Sequence, residues 1–113
     1  MVTSQLNYRV KDPSLPIAVL TGPGTASAAE GLLALLLGDP HVRTFGQATA
    51  GLTTGNELIV LSDDAGLNLA TAYLASSDGQ VFTGAITPDE AIATDNGAED
   101  ATLSAALRWL ATQ

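Results

Sequence analysis

A chain of 113 residues is one domain or part of one, long enough to bury roughly two-thirds of its unfolded surface. With 46% hydrophobic residues, few aromatics and a net charge of −8 that includes only four Lys and Arg, the core is expected to be aliphatic. The charge argues against nucleic acid and anionic membrane as partners, since both demand basic patches. The absence of cysteine excludes disulfides, thiolate metal sites and a cysteine nucleophile. No apolar run approaches the roughly twenty residues that span a bilayer, and Met1–Gln5 has neither the basic start nor the apolar centre of a signal peptide.

Residues 1–15 read as an approach segment, with a short alternating patch from Leu6 to Val10 and a turn at Lys11-Asp12-Pro13. Pro16 to Thr21 is then β-branched and apolar enough for a buried strand, and Ala26 to Leu37 has the Ala and Leu content and length of a helix. A buried parallel strand needs neighbours on both sides, so an upstream βα unit is expected beyond this segment. Gly22-Pro23-Gly24-Thr25 forms the corner between strand and helix. Such a corner projects the first helical residues from the carboxyl end of the sheet, beside unpaired N–H groups and the positive end of the helix dipole. Ser27 stands there, where a hydroxyl can serve as a nucleophile with half an oxyanion hole at hand. Ser27-Ala-Ala-Glu30 also fits a capping box, in which Ser27 accepts from the Glu30 amide and Glu30 reaches back to the Ser27 amide. From these residues alone both readings stay open.

Gly38-Asp39-Pro40 punctuates the end of that helix. Val42 to Gly46 reads as a second strand, completing a right-handed βαβ crossover. Gln47 to Asn56 is small, polar and glycine-bearing, and reads as a loop at the carboxyl end of the sheet, where open α/β folds place their chemistry. Glu57–Ser62 and Gly66–Ala75 form a hairpin turned by Asp63-Asp64-Ala65, and Gln80–Thr83 a further short strand after the turn at Ser76–Gly79. Gly84–Asp89 is a turn-rich exit. Asn96–Asp100 leads into a helix from Ala101 to Thr112, with Leu103, Ala106, Leu107 and Leu110 on one face.

In this order the pieces resemble the S41 serine peptidases, the C-terminal-processing or tail-specific proteases and their relatives. GTASAAE from Gly24 to Glu30 is similar to the start of the nucleophile helix in that family. RTFGQATAGLTTGN from Arg43 to Asn56 falls where the family has its second catalytic loop. DAGLNLATA from Asp64 to Ala72 resembles its hairpin, and GAITPD from Gly84 to Asp89 its exit turn. The four motifs cover about residues 16–94. The resemblance implies a ClpP/crotonase-like α/β fold, with residues 16–113 as the C-terminal part of a catalytic domain. It makes Ser27 the nucleophile and the Ala28 N–H an oxyanion donor, and it implies no metal or organic cofactor. A peptide or protein is the implied substrate, and an extracytoplasmic or membrane-associated parent the implied setting.

One departure is informative. Processing proteases of this family carry a lysine base twenty-five positions after the serine, where this chain has Leu52. The TAGLTTGN form resembles instead the nisin-resistance and tricorn-like branch, whose base is a histidine from an upstream part of the chain. Asn56 matches the place of an orienting glutamine in lysine-type members, and orients substrate or base on that reading; it reads equally as a turn residue after Gly55. His41 and Lys11 are expected too far from Ser27 to act, since the helix after Ser27 rises about 15 Å and the strand after Lys11 spans on the order of 20 Å. Base and second oxyanion donor would then come from the upstream part of the parent, and the isolated chain is expected to be inactive and prone to self-association through an open sheet edge. The alternative is a non-catalytic ligand- or peptide-binding module of the same fold, as in the retinoid-binding repeats. A crotonase-type acyl-CoA enzyme finds no residue-level support.

Overall fold

The computed structural model describes residues 10–94 and 100–113; most of the Leu6–Val10 patch and residues 96–99 lie outside them. Eight elements follow in order: β1 (Ile17–Thr21), α1 (Ala28–Leu36), β2 (Val42–Gly46), β3 (Thr54–Val60), β4 (Gly66–Ala75), β5 (Val81–Phe82), β6 (Glu90–Ala91) and α2 (Ala101–Leu110). β1, β2 and β6 form a parallel sheet in the order β1-β2-β6. β3, β4 and β5 form an antiparallel sheet. The mixed α/β architecture, with a parallel βαβ unit, a hairpin and a C-terminal helix, is the expected one.

Alternation along β1 assigns its side chains to two small cores. On one face Leu33, Ala34, Phe82 and Ile86 are buried, with Val19, Leu37 and Leu74 packed against them. On the other Phe45, Ala105 and Ala106 are buried, with Ala18, Ile92 and Trp109 around them. α1 and α2 therefore cover opposite faces of the parallel sheet.

Four elements depart from the sequence reading. β1 is not a fully buried strand, since Ile17 and Leu20 are exposed and only Thr21 is buried. β6 was not expected: the exit after Gly84–Asp89 runs on into a two-residue strand beside β2, with Phe45 opposite Glu90 and Gly46 opposite Ala91. Asp89 sets that register by accepting hydrogen bonds at 2.8 Å from the Thr44 amide and hydroxyl, while its own amide donates to the Thr44 hydroxyl at 2.7 Å. β3 begins at Thr54, so Asn56 belongs to a strand and not to a loop. It stands beside a β-bulge between Gly55 and Asn56. In α2 the buried residues are Ala105 and Ala106, while Leu103 is 44% and Leu107 56% exposed. The helix is rotated from the leucine face because alanines allow close approach to β1 and β2, and because Trp109 seats against Phe45, ring centroids 5.8 Å apart.

The β3–β4 hairpin carries the chain outward. Every residue of β3 is exposed, and nearly all of β4. The radius of gyration is 17.3 Å, against about 13 Å for a compact domain of this length. Leu58 and Val60 on one side, and Ile59, Leu67 and Leu69 on the other, face outward in register. β1 also has one unpaired edge among the described residues. An apolar arm and an open edge favour pairing with other chains. The isolated chain is expected to self-associate with rising concentration in sedimentation velocity; a single monomeric species up to roughly 200 µM, some hundredfold above the micromolar range in which exposed apolar edges associate, would refute this.

Candidate active site

The end of β1 is tied to the end of β2 before the chain turns. The Thr21 hydroxyl donates to the Gln47 carbonyl at 2.8 Å, and the Gln47 amide to the Thr21 carbonyl at 3.1 Å. Gly22 to Thr25 then closes a tight corner, with Thr25 N–H on the Gly22 carbonyl at 2.9 Å and the Gly22 amide on the Thr25 hydroxyl at 3.1 Å. Two residues later Ser27 sits at the N-cap of α1 with φ 54° and ψ −112°. An N-cap residue is ordinarily extended. A serine at positive φ costs about 1–3 kcal/mol and persists only where the surroundings hold it there. This is the sharp turn between strand and helix that lifts a side chain to the surface, and Ser27 is exposed.

The donors of the first helical turn can be followed one by one. Ser27 N–H donates to Glu30 Oε2 at 2.9 Å. Ala29 N–H reaches the Ala26 carbonyl, and Gly31 N–H the Ser27 carbonyl. The Ser27 hydroxyl lies near the Glu30 amide as a capping box arranges it, without reaching hydrogen-bond geometry. The glutamate half of the box closes with full hydrogen-bond geometry, whereas the serine hydroxyl makes no cap hydrogen bond. Among the described residues Ala28 N–H meets no acceptor. Ser27 and Ala28 thus present a hydroxyl and a free backbone donor side by side at the positive end of α1.

Glu30 is 0% exposed. Besides the Ser27 amide it accepts from the Thr49 hydroxyl at 2.5 Å and the Gly51 amide at 2.7 Å, both on Oε1. Burial pushes its carboxyl up, but the Thr49 hydroxyl and the Gly51, Ser27 and Leu52 amides together outweigh that and hold it below the usual carboxylate range. The folded state therefore gains stability from Glu30 above the pKa of the unfolded chain, and loses it as pH falls through the lower folded value.

The same contacts dock the segment between β2 and β3 onto the corner. Thr49 and Ile86 exchange two hydrogen bonds, Ile86 N–H to the Thr49 hydroxyl at 2.8 Å and Thr49 N–H to the Ile86 carbonyl at 3.0 Å. Ala50 N–H donates to the Thr25 carbonyl at 2.9 Å. Gly51 has φ 86°, and a Cβ there would fall 2.9 Å from the Ala85 amide nitrogen. Leu52, at the lysine-base position of the processing proteases, is thereby brought to the corner with its side chain 59% exposed.

His41 and Lys11 lie at the other end of the sheet. His41 is at the amino end of the parallel sheet, its carbonyl accepting from Ile17 N–H and its ring 3.0 Å from Asp39. Ser27 is beyond the carboxyl end of β1. Lys11 precedes β1 and shares the distant end. Asn56 is exposed on the arm and accepts from the Thr54 hydroxyl at 3.3 Å. Two clefts flank the corner. An apolar one of about 230 Å³ lies between β1 and α1 and is lined by Val19, Leu20, Leu32 and Leu36 among others. A more polar one of about 330 Å³ includes Thr21, Thr25, Gln47 and Thr102.

Thr49 is the residue that sequence reasoning missed. A threonine in a small, polar run reads as solvated loop, and no periodicity marks one that is buried by contacts from residues nineteen and thirty-seven positions away.

The model of peptidase family S41 matches residues 2–92. The nisin-resistance protein of Lactococcus lactis subsp. lactis is 28% identical over 112 residues, which is 98% of this chain and 33% of that protein. A lipoprotein from Streptococcus agalactiae superposes with a TM-score of 0.68 at 37% identity, over 86% of this chain and 32% of its own. The photosystem II D1 C-terminal processing protease superposes at 0.61 with 27% identity, over 84% and 24%. The chain spans about a third of the length of the nisin-resistance protein. With the strand, corner and helix, the docked second loop and the hairpin in the family's order, this chain belongs to peptidase family S41.

Proposed function

We propose that residues 16–113 are the C-terminal, nucleophile-bearing part of a serine peptidase domain that hydrolyses peptide bonds through an acyl-enzyme. The observation that carries this is the backbone of Ser27, held at φ 54° beside an unpartnered Ala28 N–H. Ser27 Oγ attacks the scissile carbonyl while a base takes its proton. The Ala28 N–H stabilises the oxyanion, the leaving amine is protonated as the tetrahedral intermediate collapses, and water then releases the acyl group. The base is a histidine outside this segment, and so is the second oxyanion donor. Among the described residues His41 and Lys11 are at the far end of the sheet, and position 52 is leucine. A peptide or protein is the substrate. The nisin-resistance and lipoprotein relatives support a parent that works outside the cytoplasm or at the membrane, although no helix among the described residues is long and apolar enough to cross one.

The isolated chain is expected to show neither peptidase activity nor labelling by a fluorophosphonate, because a serine hydroxyl without a base is a weak nucleophile. The full-length protein is expected to be labelled at Ser27, as peptide mapping would show. Stoichiometric labelling of the isolated chain would mean that an internal group activates Ser27. An unlabelled, inactive full-length protein would favour the ligand- or peptide-binding module.

A further inference from the structure

We propose that Glu30 is a positioning residue of this site: one buried carboxylate holds Ser27 in its left-handed backbone conformation through the Ser27 amide, and holds the β2–β3 loop beside it through Thr49 and Gly51. The proposal rests on the peptidase reading of Ser27.

The geometry leaves this carboxylate little other purpose. It is 0% exposed, and the salt bridges among the described residues do not involve it. A buried charge without a counter-ion is costly unless donors surround it, and here they do. Oε2 takes the Ser27 amide, and Oε1 takes the Thr49 hydroxyl and the Gly51 amide. The Thr49 hydroxyl accepts from Ile86 N–H, so its single proton is committed to Glu30. Both carboxylate oxygens therefore face donors, a pattern that a carboxylate satisfies and a carboxamide cannot. An extended N-cap can also make the hydrogen bond to Ser27 N–H; what is particular here is that the carboxylate accepting it is itself fixed through Oε1 by Thr49 and Gly51. The bond to Ser27 N–H keeps this amide off the reacting carbonyl, which leaves Ala28 N–H as the donor from this helix end.

Glutamine at position 30 keeps the size but places an NH2 group against one of these donors. In the full-length peptidase Glu30→Gln is expected to lower kcat on the order of 100-fold with KM within about twofold, as a misplaced reacting group does. Thr49→Val is expected to lower kcat about 10-fold, the worth of one hydrogen bond, and Thr49→Ser to restore it. Hydrogen exchange at the Ser27 and Gly51 amides, followed by NMR, is expected to accelerate in Glu30→Gln and Thr49→Val but not in Thr49→Ser. If Glu30→Gln does not fold, the threonine pair carries the test. Wild-type kcat in Thr49→Val, or a Thr49→Ser protein as impaired as Thr49→Val, would overturn the proposal provided Ser27→Ala is inactive. A wild-type protein with no Ser27-dependent hydrolysis would instead sink the peptidase reading. Amide exchange then decides the positioning role by itself, since unchanged protection in Glu30→Gln refutes it.

Discussion

If the full-length protein is the proposed peptidase, replacing Ser27 with alanine is expected to lower kcat by on the order of 10,000-fold or more, as loss of a nucleophile does, with little change in stability. The reason for the small stability effect is structural. The Ser27 hydroxyl makes no cap hydrogen bond, so its removal should cost about 0.5 kcal/mol, the low end for N-cap serines. Ser27→Gly makes the contrast sharper. At φ 54° glycine has no Cβ to strain, and the variant is expected to be inactive yet more stable by about 1 kcal/mol. A serine retained only to cap α1 would behave in the opposite way, with activity kept and stability lost. Turnover and urea denaturation on both variants separate the two roles, and retained turnover in either would remove Ser27 from the mechanism.

The largest stability effect is expected on the neighbouring strand, at Gly46→Ala. Gly46 has φ 124°, and a Cβ there would sit 2.1 Å from the Thr21 carbonyl oxygen and 3.2 Å from Thr102 Cγ2. The obstacle is backbone and cannot swing aside. That carbonyl accepts from the Gln47 amide, so displacing it opens the join between the ends of β1 and β2 on which the Ser27 corner stands. The substitution combines a forbidden backbone conformation with overpacking, and is expected to cost about 3–5 kcal/mol, a large share of the roughly 5–15 kcal/mol that holds a domain together. Gly24→Ala serves as the control. It is on the corner itself, but nothing lies within 4 Å of its added Cβ and its φ is not in the left-handed region, so it should stay within about 0.5 kcal/mol of wild type. Chemical denaturation of the three proteins tests this, and a Gly46→Ala loss below about 1 kcal/mol would show that the β1–β2 join yields.

What the sequence determined by itself was whatever is encoded in contiguous residues. An apolar β-branched run, a glycine corner and an Ala- and Leu-rich run place β1, the turn and α1, because strand and helix periodicities and the S-x-x-E spacing act over a few residues. The same holds for the β3–β4 hairpin around Asp63–Ala65 and for the order of motifs that marks family S41. The tertiary structure decided the rest. β6 is two residues long, too short for any periodicity, and forms because Asp89 bonds to Thr44 forty-five positions earlier. The buried face of α2 follows the Phe45–Trp109 contact and not the leucine stripe, since packing against a particular sheet outweighs the moment of an isolated helix. Ser27 illustrates the division best. Its position before a helix is legible in GTASAAE, but the same letters serve a cap or a nucleophile. The left-handed backbone at Ser27 appears only in the folded chain, where the Glu30 carboxylate on its amide is engaged at its second oxygen by Thr49 and Gly51 from beyond β2. Local propensity favours the extended N-cap by a few kcal/mol at most, a preference small enough for one buried carboxylate and its distant donors to overturn.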